Sequence, residues 1–560
     1  MHRSRLVLPV LLLIAFIGGY VLYPLGVTFL ESVRGAGGVN LSRYLSLLDP
    51  SNRGNWEAVV NSVGVSLLTV FLSGAVGLLF AVVFTQVDFP LRSLLARLAI
   101  VPIALPPLVG VIAFLLVFGE SGILPRLTQT ALGLKVVPFY LDGLPAILAV
   151  HVYSFYVYSY LLCSSALRQI DGSVLEAAFS LGGGAWRTFR RVVLPDLRPA
   201  LLGGALLTFM ASMASFSAPL IFAGPHRFLT LQIYATKLNG DLSLAAAQSL
   251  MLTLFSICFF VVLNLIMGRR MGVMRRRGVA AARRIRMSRP ARMILVGLVL
   301  GLLMLGVLPL ITIGVVSFAR EGTWTYQLLP GEYTFDNYLA LLTDPSVFEP
   351  VRNSLAMAGI TLVVILVVGV GSAYLITKGG LRRSRLTVDT VITLPYAIPG
   401  TVVAISLILA FNTPSLLTGN AVLVGTFWIL PLAYVLRTYP LVVRSTAAAC
   451  DQVEDSLLEA GRSFGAGPWR VFGKIVLPLV LPGIVSGSLL GMIAVLGEFV
   501  SSILLYAYSS RPISVEILSQ LRSLHFGAAA AYCVVLLGLI ALLIWLSKLL
   551  LARSSRSLSF

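Results

Sequence analysis

Few residues in this 560-residue chain are equipped for covalent or proton-transfer chemistry, and those few are scattered. The four histidines, His2, His151, His226 and His525, show no HExxH or other paired spacing that would hold a metal. The four cysteines, Cys163, Cys258, Cys450 and Cys533, stand singly in or beside apolar runs, without the CxxC spacing of zinc or redox sites. No Gly-x-Ser-x-Gly elbow and no Gly-x4-Gly-Lys-Ser/Thr phosphate loop occurs, so the chain is not expected to be an enzyme, to hold a cofactor or metal, or to hydrolyse ATP itself. What remains is a handful of polar groups set inside apolar runs. Glu498, in Leu496-Gly-Glu-Phe, stands out; its counterpart in an internal repeat described below is Ser215. His151 and Tyr153 are weaker members of the same class. Polar groups in lipid are costly and mark transport paths or buried pairs. Glu498 therefore either faces a path or gate, or is buried against Ser, Tyr or Arg in the bundle. Tyr156, Tyr158 and Tyr160 read as packing or interfacial contacts.

The elements that carry these groups are membrane helices. Apolar residues make up 58% of the chain and charged residues only 11%, about half the charge of a soluble protein. The apolar runs reach about 20 residues, enough to span a bilayer as a helix. They are apolar all round rather than alternating, which excludes a barrel and leaves an all-α polytopic bundle. Twelve spans are expected, at about 6–30, 58–86, 96–118, 144–166, 199–222, 243–268, 291–318, 352–377, 388–411, 421–443, 482–507 and 527–551. The first follows Met1-His-Arg-Ser-Arg like a signal peptide but lacks a small-x-small cleavage site, so it reads as an uncleaved span.

The net charge of +20 does not point to nucleic acid, because the basic residues sit between the spans, where they set topology in the bilayer. Most Lys and Arg fall on the side of the N-terminus, which predicts both termini in the cytoplasm. The densest stretch, 269–292, holds ten arginines and no acid and reads as a cytoplasmic linker beside anionic lipid.

An internal repeat organises the rest. Residues 166–199 align without a gap on 449–482, at an offset of 283. The matches run through Glu176 and Glu459, Ala177 and Ala460, Gly182 and Gly465, Trp186 and Trp469, to Leu194-Pro195 and Leu477-Pro478. Elsewhere Asn61-Ser62 pairs with Asn353-Ser354, and Pro102 and Pro106 pair with Pro395 and Pro399. These prolines, with Pro107, predict kinks. Three units follow: a first six-span copy over 1–268, the linker 269–292, and a second six-span copy over 293–560. An even number of spans gives parallel repeats, between which a path can lie. Each repeated segment reads as short helix, glycine break, second helix and Leu-Pro stop, with apolar residues that something must cover.

At these residues the chain resembles a known family. Glu176-Ala177-Ala178, Gly182 and the closing Leu-Pro look like the EAA loop of permease subunits of ATP-binding cassette (ABC) importers; the second copy has Glu459-Ala460-Gly461 and Gly465, departing at the third position. The resemblance implies two tandem type I importer units of six helices each. It implies that Glu176, Ala177, Gly182, Trp186, Glu459, Ala460, Gly465 and Trp469 belong to loops that dock on two separate ATPase subunits. It also implies an extracytoplasmic substrate-binding protein, a bacterial inner-membrane location, and a path for which Glu498, Ser215 and His151 are the candidates. Fused permeases of this form resemble those of ferric iron, thiamine and aminoethylphosphonate importers. The stretches from Phe216 and Gly497, with Arg511-Pro-Ile-Ser, look most like the ferric iron group. Ferric iron is the expected substrate, with thiamine, aminoethylphosphonate or a polyamine as alternatives within the class. A secondary transporter is the rival outside it, but it would be expected to show inverted repeats and paired midplane acids.

Overall fold

The computed structural model describes residues 7–35, 38–268, 288–324, 327–379, 381 and 384–557. The described chain is a helical bundle whose strands are limited to a two-residue pairing of Arg34–Gly35 with Gly38–Val39. Among the described residues, ten helices are long and apolar enough to cross a membrane. In the first copy these are Pro9–Val33, Arg53–Gln86, Pro107–Ala131, Gly143–Arg168, Ala185–Met213 and Leu242–Leu263. In the second copy they are Arg289–Val316, Pro345–Thr377, Pro468–Leu496 and Phe526–Ala552. The ninth expected span is broken, with Thr387–Tyr396 and Gly400–Phe411 meeting at 99°. The tenth expected place holds the helix Ile429–Asp451, whose Arg437 and Arg444 lower its hydropathy. Most of the expected linker, 269–287, lies outside the described residues, and its last residues open the helix Arg289–Val316.

Four boundaries differ from expectation for physical reasons. The third span, expected at 96–118, runs instead over Pro107–Ala131, because Pro102, Pro106 and Pro107 break the chain after the short helix Arg92–Leu98. The fifth and eleventh spans, expected at 199–222 and 482–507, run instead over Ala185–Met213 and Pro468–Leu496. The Leu-Pro pairs do not stop these helices. A five-residue π turn, Phe189–Val193 or Phe472–Val476, precedes each pair, and the N–H of Leu194 or Leu477 donates to the carbonyl of Phe189 or Phe472. The wider turn accommodates Pro195 and Pro478, which lack an N–H and crowd the preceding turn of a regular helix. The same spans end early at a corner. Both turn at matched residues, after Met213 and after Leu496, into the short helices Ser217–Phe222 and Val500–Leu505. The tenth span, expected at 421–443, starts only at Ile429, because Ala421–Trp428 is spent on a turn through Gly425 at φ +83°.

Each copy has the same core. The second and fourth helices pack closely because small residues meet backbone: a Cβ on Gly77 would lie 2.5 Å from the Tyr156 carbonyl oxygen. Gly204 against Ser159 and Gly487 against Val442 repeat this closeness between the fourth and fifth helices. The copies are interleaved. The first helix, Pro9–Val33, leans on the second copy, where Thr28 Oγ1 donates to Ser406 Oγ at 2.8 Å and Tyr20 donates to the Leu417 carbonyl at 2.6 Å. Reciprocally, Gly306 of the helix Arg289–Val316 packs on Tyr153 of the first copy.

Candidate functional site: two repeated loops and the seam between the copies

The two repeated loops have one backbone plan. In the first copy Asp171 caps the helix Gly172–Ser180, accepting from the Ser173 N–H at 2.9 Å. Gly182 then turns the chain at φ +77° into the helix that begins at Ala185. In the second copy the helix Asp455–Ser463 is followed by Gly465 at φ +79°. Only glycine adopts this left-handed region without strain, which is why both copies keep it. Leu175 and Leu458 anchor the loops in the interior, while Glu176, Ala177, Glu459 and Ala460 lie on the exposed face. The tips are apolar and uncovered: Leu181 is 87% and Phe464 91% exposed, and Trp186 and Trp469 stand beside them, also exposed. The departure at Gly461 has a local cause. A Cβ there would come 2.6 Å from Ile475 Cδ1, and the corresponding residue of the first copy, Val192, has no δ-carbon.

The second loop carries ion pairs that the first cannot make. Lys378 Nζ bonds Asp455 Oδ1 at 2.6 Å and the Val453 carbonyl at 2.7 Å. Arg385 grips Asp451 with both terminal nitrogens, at 2.8 and 2.7 Å. The positions matching Lys378, Asp455 and Asp451 are Gln86, Gly172 and Arg168.

The remaining candidates meet at the corner that follows the fifth helix of each copy. Phe216 and Phe499, one residue past Ser215 and Glu498, face each other across the copies with ring centroids 5.9 Å apart. Gly497 lies against Pro106 of the first copy's broken third helix; a Cβ there would be 3.2 Å from the ring. This is the seam. The backbone is held alike on both sides: Thr230 donates to the Ser215 carbonyl and Ser514 to the Glu498 carbonyl, each at 2.9 Å. The Asn-Ser pairs serve the same scaffold. Ser62 accepts from the Leu229 N–H and Ser354 from the Ile513 N–H, while Asn61 and Asn353 donate to the carbonyls of Arg227 and Arg511.

The side chains at the corner diverge. His151 is enclosed at 2% exposure and its ring is ringed by hydroxyls: Nε2 is 2.8 Å from Ser215 Oγ, and Nδ1 is 3.1 Å from Ser212 Oγ and 3.4 Å from Thr69 Oγ1. Tyr434 occupies the matching place in the second copy and bonds Ser502 at 2.7 Å. Glu498 instead pairs with Arg437, Nε to Oε2 at 2.9 Å, and its other oxygen accepts from the Ser501 N–H at 2.9 Å. Sequence reading missed Arg437, although an arginine inside an apolar span is itself a signal. Among the described residues no three His, Cys, Asp or Glu side chains gather as metal ligands.

Two loops of one plan and a seam between two like copies match one family of known proteins. The profile described as "Binding-protein-dependent transport system inner membrane component" matches residues 73–277 and again 365–556, one stretch in each copy. The chain belongs to this family. Among relatives, a probable ABC transporter permease, y4fN of Sinorhizobium fredii, is 28% identical over 467 residues, covering 82% of this chain and 81% of that protein. The ferric transport system permease FbpB of Actinobacillus pleuropneumoniae is 26% identical over 505 residues, covering 88% of this chain and 71% of its own. The molybdenum permease ModB of Escherichia coli is 31% identical over 230 residues, all of that protein but 39% of this chain. This member of the family is thus a multi-pass ABC importer permease holding two permease copies in one chain.

Proposed function

We propose that this permease carries ferric iron, or a ferric chelate, along the seam between its two copies, driven by two separate ATPase subunits seated on the repeated loops. The observation that carries the ATPase part is the pair of uncovered apolar tips, Leu181 with Trp186 and Phe464 with Trp469, at matched places on loops of one backbone plan. Exposed apolar clusters of this kind are partner surfaces, and two of them call for two partner subunits. By sequence order the basic segments fall on the same side of the spans as the loops, which supports placing the loops and both termini at the cytoplasmic face. A substrate-binding protein, which the family name implies, then docks on the opposite face. Iron rests on the likeness to FbpB over most of the chain. A second reading, an oxyanion, is favoured by the likeness to ModB.

The ATPase part is tested by co-purification. The chain is expressed with its candidate ATPase, and Trp186→Asp combined with Trp469→Asp is compared with the parent. Loss of the ATPase from the doubly substituted, still folded chain supports the docking surface; full retention contradicts it. Binding of ferric-loaded against molybdate-loaded binding protein to the assembled complex then separates the two substrate readings.

A further inference from the structure

We propose that the Arg437–Glu498 ion pair is the latch of the seam: it braces, from within the second copy, the corner that meets the first copy, and it parts when the path opens. The inference rests on the reading of the seam as the path. Three observations carry it. The pair ties the corner that meets the first copy to helices of its own copy. Arg437 stands on the helix Ile429–Asp451, Glu498 on the corner, and Arg437 Nη1 lies 2.7 Å from where a Cβ on Gly400 would sit, at the first residue of the outer half of the broken ninth span. Gly400 thus leaves the room in which the guanidinium lies. The pair is also flanked directly by the cross-copy contacts, Gly497 on Pro106 and Phe499 on Phe216. Finally, the pair is not sealed in: the arginine side chain is 27% and the glutamate 11% exposed. A guanidinium exposed within a span faces water rather than lipid, so the ions can separate into a hydrated space instead of a dry one. The first copy has Ser154 and Ser215 at these two places and cannot form the pair, so the latch is one-sided.

The test needs neither ATPase nor substrate. Cys163, Cys258, Cys450 and Cys533 are replaced by serine, and Phe216→Cys is introduced as a probe that is closed off in the latched seam, Phe216 being 1% exposed. The purified chain in lipid nanodiscs, open to both faces, is reacted with a charged maleimide. A separate Leu416→Cys chain, 97% exposed at that position, reports reagent access. Arg437→Met and Glu498→Gln are each expected to speed labelling at 216 by about tenfold, because removing one partner of such a pair strongly destabilises the arrangement that held it. The reversed pair, Arg437→Glu with Glu498→Arg, is expected to restore slow labelling. Unchanged labelling in both single variants overturns the latch. Should a single variant aggregate, the double Arg437→Met/Glu498→Met, which leaves no lone charge, replaces it, and a parental rate there overturns the latch equally. A fast-labelling variant in a chain that never engages an ATPase would keep the latch and refute the importer assembly; parental labelling in a chain that does engage one would do the reverse.

Discussion

The corner of the first copy is held by neutral hydrogen bonds, His151 to Ser215, and that of the second by a charge pair, Arg437 to Glu498. The backbones around them are matched down to the hydroxyl that satisfies each corner carbonyl, Thr230 in one copy and Ser514 in the other. The loops differ in the same manner: one plan, but ion pairs at Lys378 and Arg385 only in the second. Repeated backbone geometry is thus set by glycines, prolines and the Asn-Ser pairs, while polar side-chain contacts are free to diverge. Fusion allows this, since each half of a fused chain can change without the same substitution appearing in its twin. Motion at the seam therefore need not be shared equally by the two copies.

Substitutions that treat the copies as equal, or unequal, test this. The largest effect is expected at the charge pair. Arg437→Met should lower the stability of the detergent-solubilised chain by about 3 kcal/mol, since it strands Glu498, whereas Ser215→Ala in the first copy should cost about 1 kcal/mol, the worth of a neutral hydrogen bond. Thermal melts of the two side by side decide it, and equal losses would erase the contrast. Next come the loop tips, where the copies should behave alike. Leu181→Asp and Phe464→Asp should each weaken ATPase association by at least about 2 kcal/mol, as central apolar anchors do; a strong effect from one tip alone, measured by binding isotherms, would make docking one-sided. Gly182→Ala and Gly465→Ala should each cost about 1–2 kcal/mol through the left-handed backbone they impose on alanine, again equally. The smallest effect separates the loops once more. Gly461→Ala should cost about 1 kcal/mol by crowding Ile475, and a second change, Ile475→Val, should recover it. Failure of that rescue in a double-mutant cycle would mean that Gly461 has another cause.

Much of this architecture was legible from residues alone, and the gaps have physical reasons. Apolar runs located the helices, and the 283-residue offset located the loops, because lipid and a shared backbone both write themselves into residue type. The glycine turns at Gly182 and Gly465 stand where the repeat placed them. The helix through Leu194-Pro195 was not legible, since a π turn depends on a hydrogen bond five residues back rather than on composition. The corners at Ser215 and Glu498 were hidden inside runs that stay apolar while the backbone bends. Glu498 signalled itself as a costly group, but its partner did not: hydropathy averaged Arg437 away among the leucines and valines of its span. The contact between Thr28 and Ser406 joins residues 378 apart and leaves no periodic trace.

Coupling of this permease through its two repeated loops to ATP hydrolysis elsewhere is tested by ATPase activity in proteoliposomes. The complex of this chain with its ATPase and a ferric-loaded binding protein is compared with one carrying Glu176→Ala and Glu459→Ala. The binding protein is expected to stimulate hydrolysis by the parent, and the double variant, still folded, to lose the stimulation. Stimulation of the same size in both would contradict the coupling.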